Sequence, residues 1–248
     1  MRKRRREGAP RIQSGARRPS RGAAERGRNP IVAIDGPAGA GKSTAARRLA
    51  AALGCTYVDS GAMYRAVGLA ARRHGVDLDD ADGVAALVDG VTLVADAGGT
   101  RVLLDGDDVT HELRAPDAGA WASRVATHAL VRTRLLDRQR ALAAEGGIVM
   151  DGRDIGTVVF PDADCKFFLT ASTDERARRR QAEDAGSGAE SDLAATRAEI
   201  EARDGRDRER SIAPLRAAAD AIVIDSSALT VDAVVARMLE SVRARARP

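Results

Sequence analysis

The sequence predicts an α/β fold, a parallel sheet with helices on both faces. Three observations carry that expectation. The apolar runs Ile31–Asp35, Ile148–Asp151, Cys165–Leu169 and Ala221–Asp225 are short and nearly continuous, as in strands buried on both faces. Helical patterns separate them, the order that a parallel sheet requires. A glycine-rich run, Gly36-Pro37-Ala38-Gly39-Ala40-Gly41-Lys42-Ser43, lies between the first strand and the first helical pattern.

From residue 30 the expected order is strand, glycine-rich loop, helix (Thr44–Leu53) and a short strand near Thr56–Val58. A helix follows from Gly61 to about His74. Residues 76–113 break the rhythm with a short helix (Asp80 to Val88) and two strand-like runs, Val91–Ala95 and Arg101–Leu104. Asp96–Thr100, with two glycines, reads as the turn of a hairpin between them. Helices are expected over about 116–128 and 131–145, the second with Val131, Leu135, Leu136 and Leu142 on one stripe. Residues 173–210 read as two charged helices broken at Ala185–Gly188, and 230–245 as a last helix. Ligands of such sheets bind beyond the carboxyl ends of the strands. Asp35/Gly36, Asp59/Ser60 and Asp151/Arg153 all fall there.

The loop has the pattern G-x-x-x-x-G-K-[ST] in the strand-to-helix setting that gives it meaning. Its glycines let backbone N–H groups turn inward toward phosphate oxygens, and the helix start adds partial positive charge. Lys42 would reach the outer phosphates, and the Ser43 hydroxyl suits magnesium. The chain has three lysines (Lys3, Lys42, Lys166) among 40 Lys+Arg, hence 37 arginines. A lysine at this position implies that a compact ammonium is required there.

Composition bounds the alternatives. No apolar stretch approaches the ~20 residues that span a bilayer, and no secretory signal is apparent, so a cytoplasmic protein is expected. Cys55 and Cys165 are isolated, and His74, His111 and His128 lack metal-ligand spacing. Residues 1–29 hold 11 Lys/Arg and 2 Asp/Glu, a net of +9, so the body carries +4 − 9 = −5. That basic segment has little to bury and should be disordered. It reads as an upstream extension without a role, a nucleic-acid or anionic-surface arm, or a targeting peptide. The body has no aromatic-and-basic platform, which argues against nucleic acid as a partner. Asn29 is the only asparagine, so the guanine-reading N-K-x-D pattern of a GTPase is impossible.

Three further clusters carry chemistry. In Asp59-Ser60-Gly61-Ala62-Met63-Tyr64-Arg65, a helix start plus an arginine forms either a second phosphate site or an ordinary cap. In Asp151-Gly152-Arg153-Asp154, the arginine can grip a phosphate while the neighbouring acid must read a donor, such as the cytosine amino group. Uracil offers an acceptor there and would be repelled. In Arg203–Ser211, positions 203, 207 and 210 share a helical face that could hold phosphate and sugar hydroxyls, or merely face solvent.

Taken together, GPAGAGKST, DSGAMYR, DGRDIGTVVFPDA and RDGRDRERSIAPL followed by AADAIVIDSS closely resemble the bacterial cytidylate kinases (CMP/dCMP kinases), over about residues 30 to 245. The resemblance implies a P-loop nucleoside monophosphate kinase fold, with an α+β monophosphate-binding insertion and a helical lid. The expected division is a tail (1–29), core (30–59), monophosphate-binding region (60–115), core (116–172), lid (173–203) and core (204–248). It implies transfer from ATP to CMP or dCMP with magnesium. Gly36 to Ser43 and Thr44 would bind ATP, and Ser43 the metal. Lys42, Arg153 and Arg203 would be catalytic. Arg65, Arg153 and Arg203 would hold the CMP phosphate, with Ser60 beside it. Ser123, Arg132, Asp154 and Arg210 would contact cytosine, and Asp207 the sugar hydroxyl. Arg176, Arg179 and Arg180 are the lid arginines that could close over ATP. Asp35 and Asp151 are the alternative acids beside magnesium. A monomer is expected, and a broader pyrimidine or shikimate-type kinase is the nearest rival.

Overall fold

The computed structural model describes residues 29–245, apart from 97–98, 116, 145 and 187–191. Most of the expected tail, the hairpin tip and half of the break expected at Ala185–Gly188 therefore lie outside the described residues. Strand β1 (Ile31–Asp35) leads through the glycine-rich loop into α1 (Lys42–Leu53), then β2 (Thr56–Asp59) and α2 (Ser60–His74). Next come α3 (Ala81–Ala86), a 3-10 turn, and antiparallel strands β3 (Val91–Asp96), β4 (Gly99–Leu104) and β5 (Asp107–Asp108). Helices α4 (Ala118–Val125) and α5 (Ala129–Ala141) return the chain to β6 (Ile148–Gly152). A π-helical turn (Ile155–Val159) precedes β7 (Cys165–Thr170), followed by α6 (Thr173–Gly186) and α7 (Leu193–Glu209). β8 (Ile222–Asp225) and α8 (Val231–Arg245) close the fold.

The main sheet has the order β2-β6-β1-β7-β8, and every pairing is parallel. Both faces are covered, as the continuous apolar runs require. Val32 and Ile34 of β1 pack with Val149, Phe167 and Leu169 against Leu49 of α1 and Met238 of α8. Ala33 points the opposite way, joining Val58, Met150, Ile155 and Val159. A separate cluster unites α2, the β3–β4 hairpin, α4 and α5 around Val67, Val102, Trp121 and Leu135. The helix ends follow local chemistry. Asp59 caps α2 by accepting from the Ala62 N–H, and Gly54 and Gly75 close α1 and α2 in the left-handed conformation.

The π-helical turn was absent from the expected elements. It forms because the Asp35 carboxylate, 120 residues away, accepts the Ile155 and Gly156 amides at 2.8 and 2.7 Å. No local periodicity announces a contact of that range. The edge strand β5 was likewise unexpected, at two residues too short to alternate. Among the described residues no helix is long and apolar enough to cross a membrane.

Helices α2 and α4 meet at Gly68, where an added Cβ would lie 2.6 Å from the Trp121 Cβ. Gly68→Val should therefore destabilise the protein by about 2 kcal/mol through overpacking. A lower urea midpoint at unchanged slope would register it.

Candidate active site

The parallel register brings Asp35, Asp59 and Asp151 to one edge of the sheet, with Asp59 opposite Asp151 and Asp35 opposite Gly152. The loops and helices that follow β1, β2, β6 and β7 deliver side chains into one cavity of about 600 Å³.

The glycine-rich loop forms one wall. Gly36, Gly39 and Gly41 have φ of 148°, 74° and 86°. A Cβ on Gly36 would stand 1.9 Å from the Leu169 carbonyl oxygen, so only glycine can leave β1 at this point. Lys42 is buried, and its ammonium folds back onto the Pro37 carbonyl at 2.6 Å. Burial, reinforced by the Arg153 charge and opposed by Asp151, pulls its pKa down to about 7. The Ser43 hydroxyl donates to Asp151 at 2.9 Å, and the Tyr57 hydroxyl donates to the other Asp151 oxygen at 2.9 Å. Burial, with Asp59 nearby, raises Asp151 to about 6 despite Lys42 and these two donors. Ser60 donates to the Asp151 carbonyl at 2.7 Å.

The opposite wall is cationic. Arg65 pairs with Asp59 at 2.6 Å, and Arg153 donates from Nε to Asp207 at 2.8 Å. Arg203 is partly buried, and burial with the Arg153 charge lowers it to about 10, against the pull of Asp207. The Nε atoms of Arg65 and Arg203 are buried without a hydrogen-bond partner. Buried donors left unpaired are costly, so this wall is built for an anion with several acceptor oxygens.

At one end Asp154 lies between two arginines. Arg132 donates directly to it, and Arg210 approaches its other oxygen at 3.6 Å. Ser123 reaches Asp207 at 3.4 Å. The Arg132 guanidinium also lies 5.7 Å above the Tyr64 ring.

The cavity thus gathers Ala38, Gly39, Lys42, Ser43, Ser60, Arg65, Ser123, Arg132, Arg153, Asp154, Arg180, Arg203, Asp207 and Arg210 from the expected residues. Gly36, Pro37, Ala40, Gly41 and Thr44 belong to the loop and the first turn of α1 but do not line it. Arg176 does not line it either and is buried in an ion pair with Asp204. Arg179 bonds Ser226 and Glu175, and Arg180 pairs with Asp184 at 3.0 Å.

The sequence profile of the family described as cytidylate kinase matches residues 32–244. The chain belongs to the cytidylate kinase family. The cytidylate kinase of Pelotomaculum thermopropionicum is 53% identical over 221 residues, 88% of this chain and 98% of that one. That of Pseudomonas fluorescens is 49% identical over 221 residues, 87% of this chain and 96% of that one. A bifunctional pantoate ligase/cytidylate kinase of a Synechococcus species is 49% identical over 211 residues, 83% of this chain and 39% of that longer protein.

Several lining or supporting groups of this cytidylate kinase family member escaped the sequence reading. Tyr57 holds Asp151, Asp59 holds Arg65, and Arg206, Glu183 and Glu199 line the cavity. Asp59 and Arg206 stood inside motifs already noted. Tyr57 carried no signal, because a strand aromatic reads as core.

The low Lys42 pKa has a kinetic consequence. The ammonium is the form that meets phosphates, so kcat/KM for ATP should fall as pH rises through about 7. In Lys42→Arg that basic limb should disappear at a lower overall rate, because guanidinium stays charged but fits the loop poorly. A pH–rate series on both proteins tests this.

Proposed function

We propose that this chain transfers the γ-phosphoryl group of ATP to CMP or dCMP, giving ADP and CDP or dCDP. One observation carries the reading. The cavity that begins at Lys42 and Ser43 ends at a carboxylate, Asp154, held between Arg132 and Arg210. Cytosine offers an amino donor beside two acceptors, and a carboxylate flanked by guanidinium groups is its complement. Uracil would turn an acceptor toward Asp154.

The acceptor phosphate belongs on Arg65, Arg153 and Arg203, and the unpartnered Nε donors of Arg65 and Arg203 call for such an anion. Ser60 stands beside them, Asp207 would meet the sugar hydroxyl, and Ser123 would meet the cytosine with Arg132, Asp154 and Arg210. The donor phosphates belong in the loop from Gly36 to Ser43. An oxygen of the CMP phosphate then attacks the γ-phosphorus in line, and the bond to the β-phosphate oxygen breaks with its electron pair leaving on ADP. The attacking oxygen is already anionic, so no general base is needed. Lys42, Arg153 and Arg203 neutralise charge that would otherwise keep the two anions apart. Arg180, on the cavity rim, is the lid arginine best placed to add to this.

The residues also fit magnesium. Ser43 and Asp151 offer two hard oxygen donors 2.9 Å apart, leaving other positions for water and phosphate oxygens. Bound with ATP, the ion would lower the negative charge of the phosphates. Asp35 is the poorer choice of the two acids, since both its oxygens already accept amides of the π-helical turn.

Lys42→Ala should cut kcat by about 10²–10³ with unchanged circular dichroism. Asp154→Ala should raise KM for CMP by about 10²-fold or more and leave KM for ATP nearly constant, because buried arginines lose their partner only at the base end. The direct assay is ADP release against CMP, dCMP, UMP and AMP. Turnover confined to CMP and dCMP supports the assignment, and equal turnover of UMP removes Asp154 from base reading.

A further inference from the structure

Arg176 and Asp204 lie outside the cavity, yet they join its two halves. Arg176 stands in the first turn of α6 and Asp204 toward the end of α7. Their side chains are 4% and 2% exposed and approach to 2.5 Å. All three guanidinium nitrogens donate. Nε donates to the Ala171 carbonyl at 3.0 Å, Nη1 to the Ala38 carbonyl at 3.2 Å as well as to Asp204, and Nη2 to Thr173 at 3.1 Å. Ala38 belongs to the glycine-rich loop. A Cβ on Gly39 would lie 3.0 Å from the Arg176 Cβ, so loop and helix are in direct contact.

On the other side, Asp204 is the chain neighbour of Arg203, which lines the acceptor end and whose Nε is buried without a partner. A continuous path therefore runs from a loop carbonyl, through one buried ion pair, to the backbone that carries an acceptor arginine. Burying two charges is a poor way to gain stability, since apolar side chains of similar volume would serve as well. A planar fork does something they cannot: it holds three backbone and side-chain acceptors and a carboxylate in fixed directions at once.

We propose that the Arg176–Asp204 pair is a positioning device that couples the two nucleotide sites. It fixes the donor loop relative to the acceptor arginine on α7, so that occupation of one site favours occupation of the other. Neither residue touches substrate. The inference rests on the ATP–CMP reading above.

The test is titration calorimetry of CMP with and without a non-hydrolysable ATP analogue and magnesium. The proteins are wild type and the double variant Arg176→Met/Asp204→Leu, which removes both charges together and spares the core an unpaired one. The expected wild-type result is CMP binding about fivefold tighter or more with the analogue present. In the double variant the separate affinities should stay within about threefold while the coupling factor falls toward one. Its kcat should drop about tenfold or more from lost alignment. Should the double variant not fold, Arg176→Lys keeps the charge opposite Asp204 but loses the fork to Ala38, and it should lose coupling in the same way. A variant with wild-type coupling and kcat overturns the proposal. Equal weakening of both separate affinities, with coupling intact, makes the pair scaffolding only and also overturns it. A wild type that binds both ligands without coupling refutes the device alone, whereas one that binds neither refutes the ATP–CMP reading beneath it.

Discussion

The in-register parallel sheet sets three carboxylates, Asp35, Asp59 and Asp151, side by side on one edge, and the surrounding loops are organised by how each is satisfied. Asp35 takes two amides and thereby shapes the turn that carries Arg153 and Asp154. Asp59 takes the α2 N-terminus and Arg65. Asp151 takes Ser43 and Tyr57, tying the loop to the second strand. The crowding is visible in their acidity: burial raises Asp35 to about 7 and Asp151 to about 6, whereas the Arg65 charge keeps Asp59 low against its own burial. Removing the register would scatter these loops, because each acid reaches its partner only from its strand end.

Against that acidic edge stands a surplus of arginines. Arg65 pairs with Asp59 and Arg153 with Asp207, while the Nε atoms of Arg65 and Arg203 stay buried without a partner. Such a wall is held together only partly by its own charges. The remainder is supplied by whatever anion enters, which makes binding energy available for alignment.

Much of this was legible in the sequence, for reasons that differ by residue. The loop from Gly36 to Ser43 is a local pattern between a local strand and helix, and the structure has it in that setting. The two-sided burial of β1, β6 and β7 was readable from their nearly continuous apolar runs. The grouping of Ser123, Arg132, Asp154 and Arg210 was not readable from spacing, because they come from four elements, and it entered through family resemblance. Arg176 shows the limit most clearly. A charged position in a charged helix looks exposed, and only the packing of α6 on α7 and the loop reveals that it is buried. The role of Asp35 was hidden likewise, since its partners are backbone amides, which no residue type encodes.

The desolvation of Lys42 has a chemical corollary. Burial pulls this amine's pKa down to about 7, so far more of it is unprotonated at neutral pH than of an ordinary lysine, which is almost wholly ammonium. The other lysine among the described residues, Lys166, is buried and paired with Asp220. Of these two lysines, amine-directed acylation or reductive alkylation should therefore favour Lys42, and an occupying nucleotide would shield it.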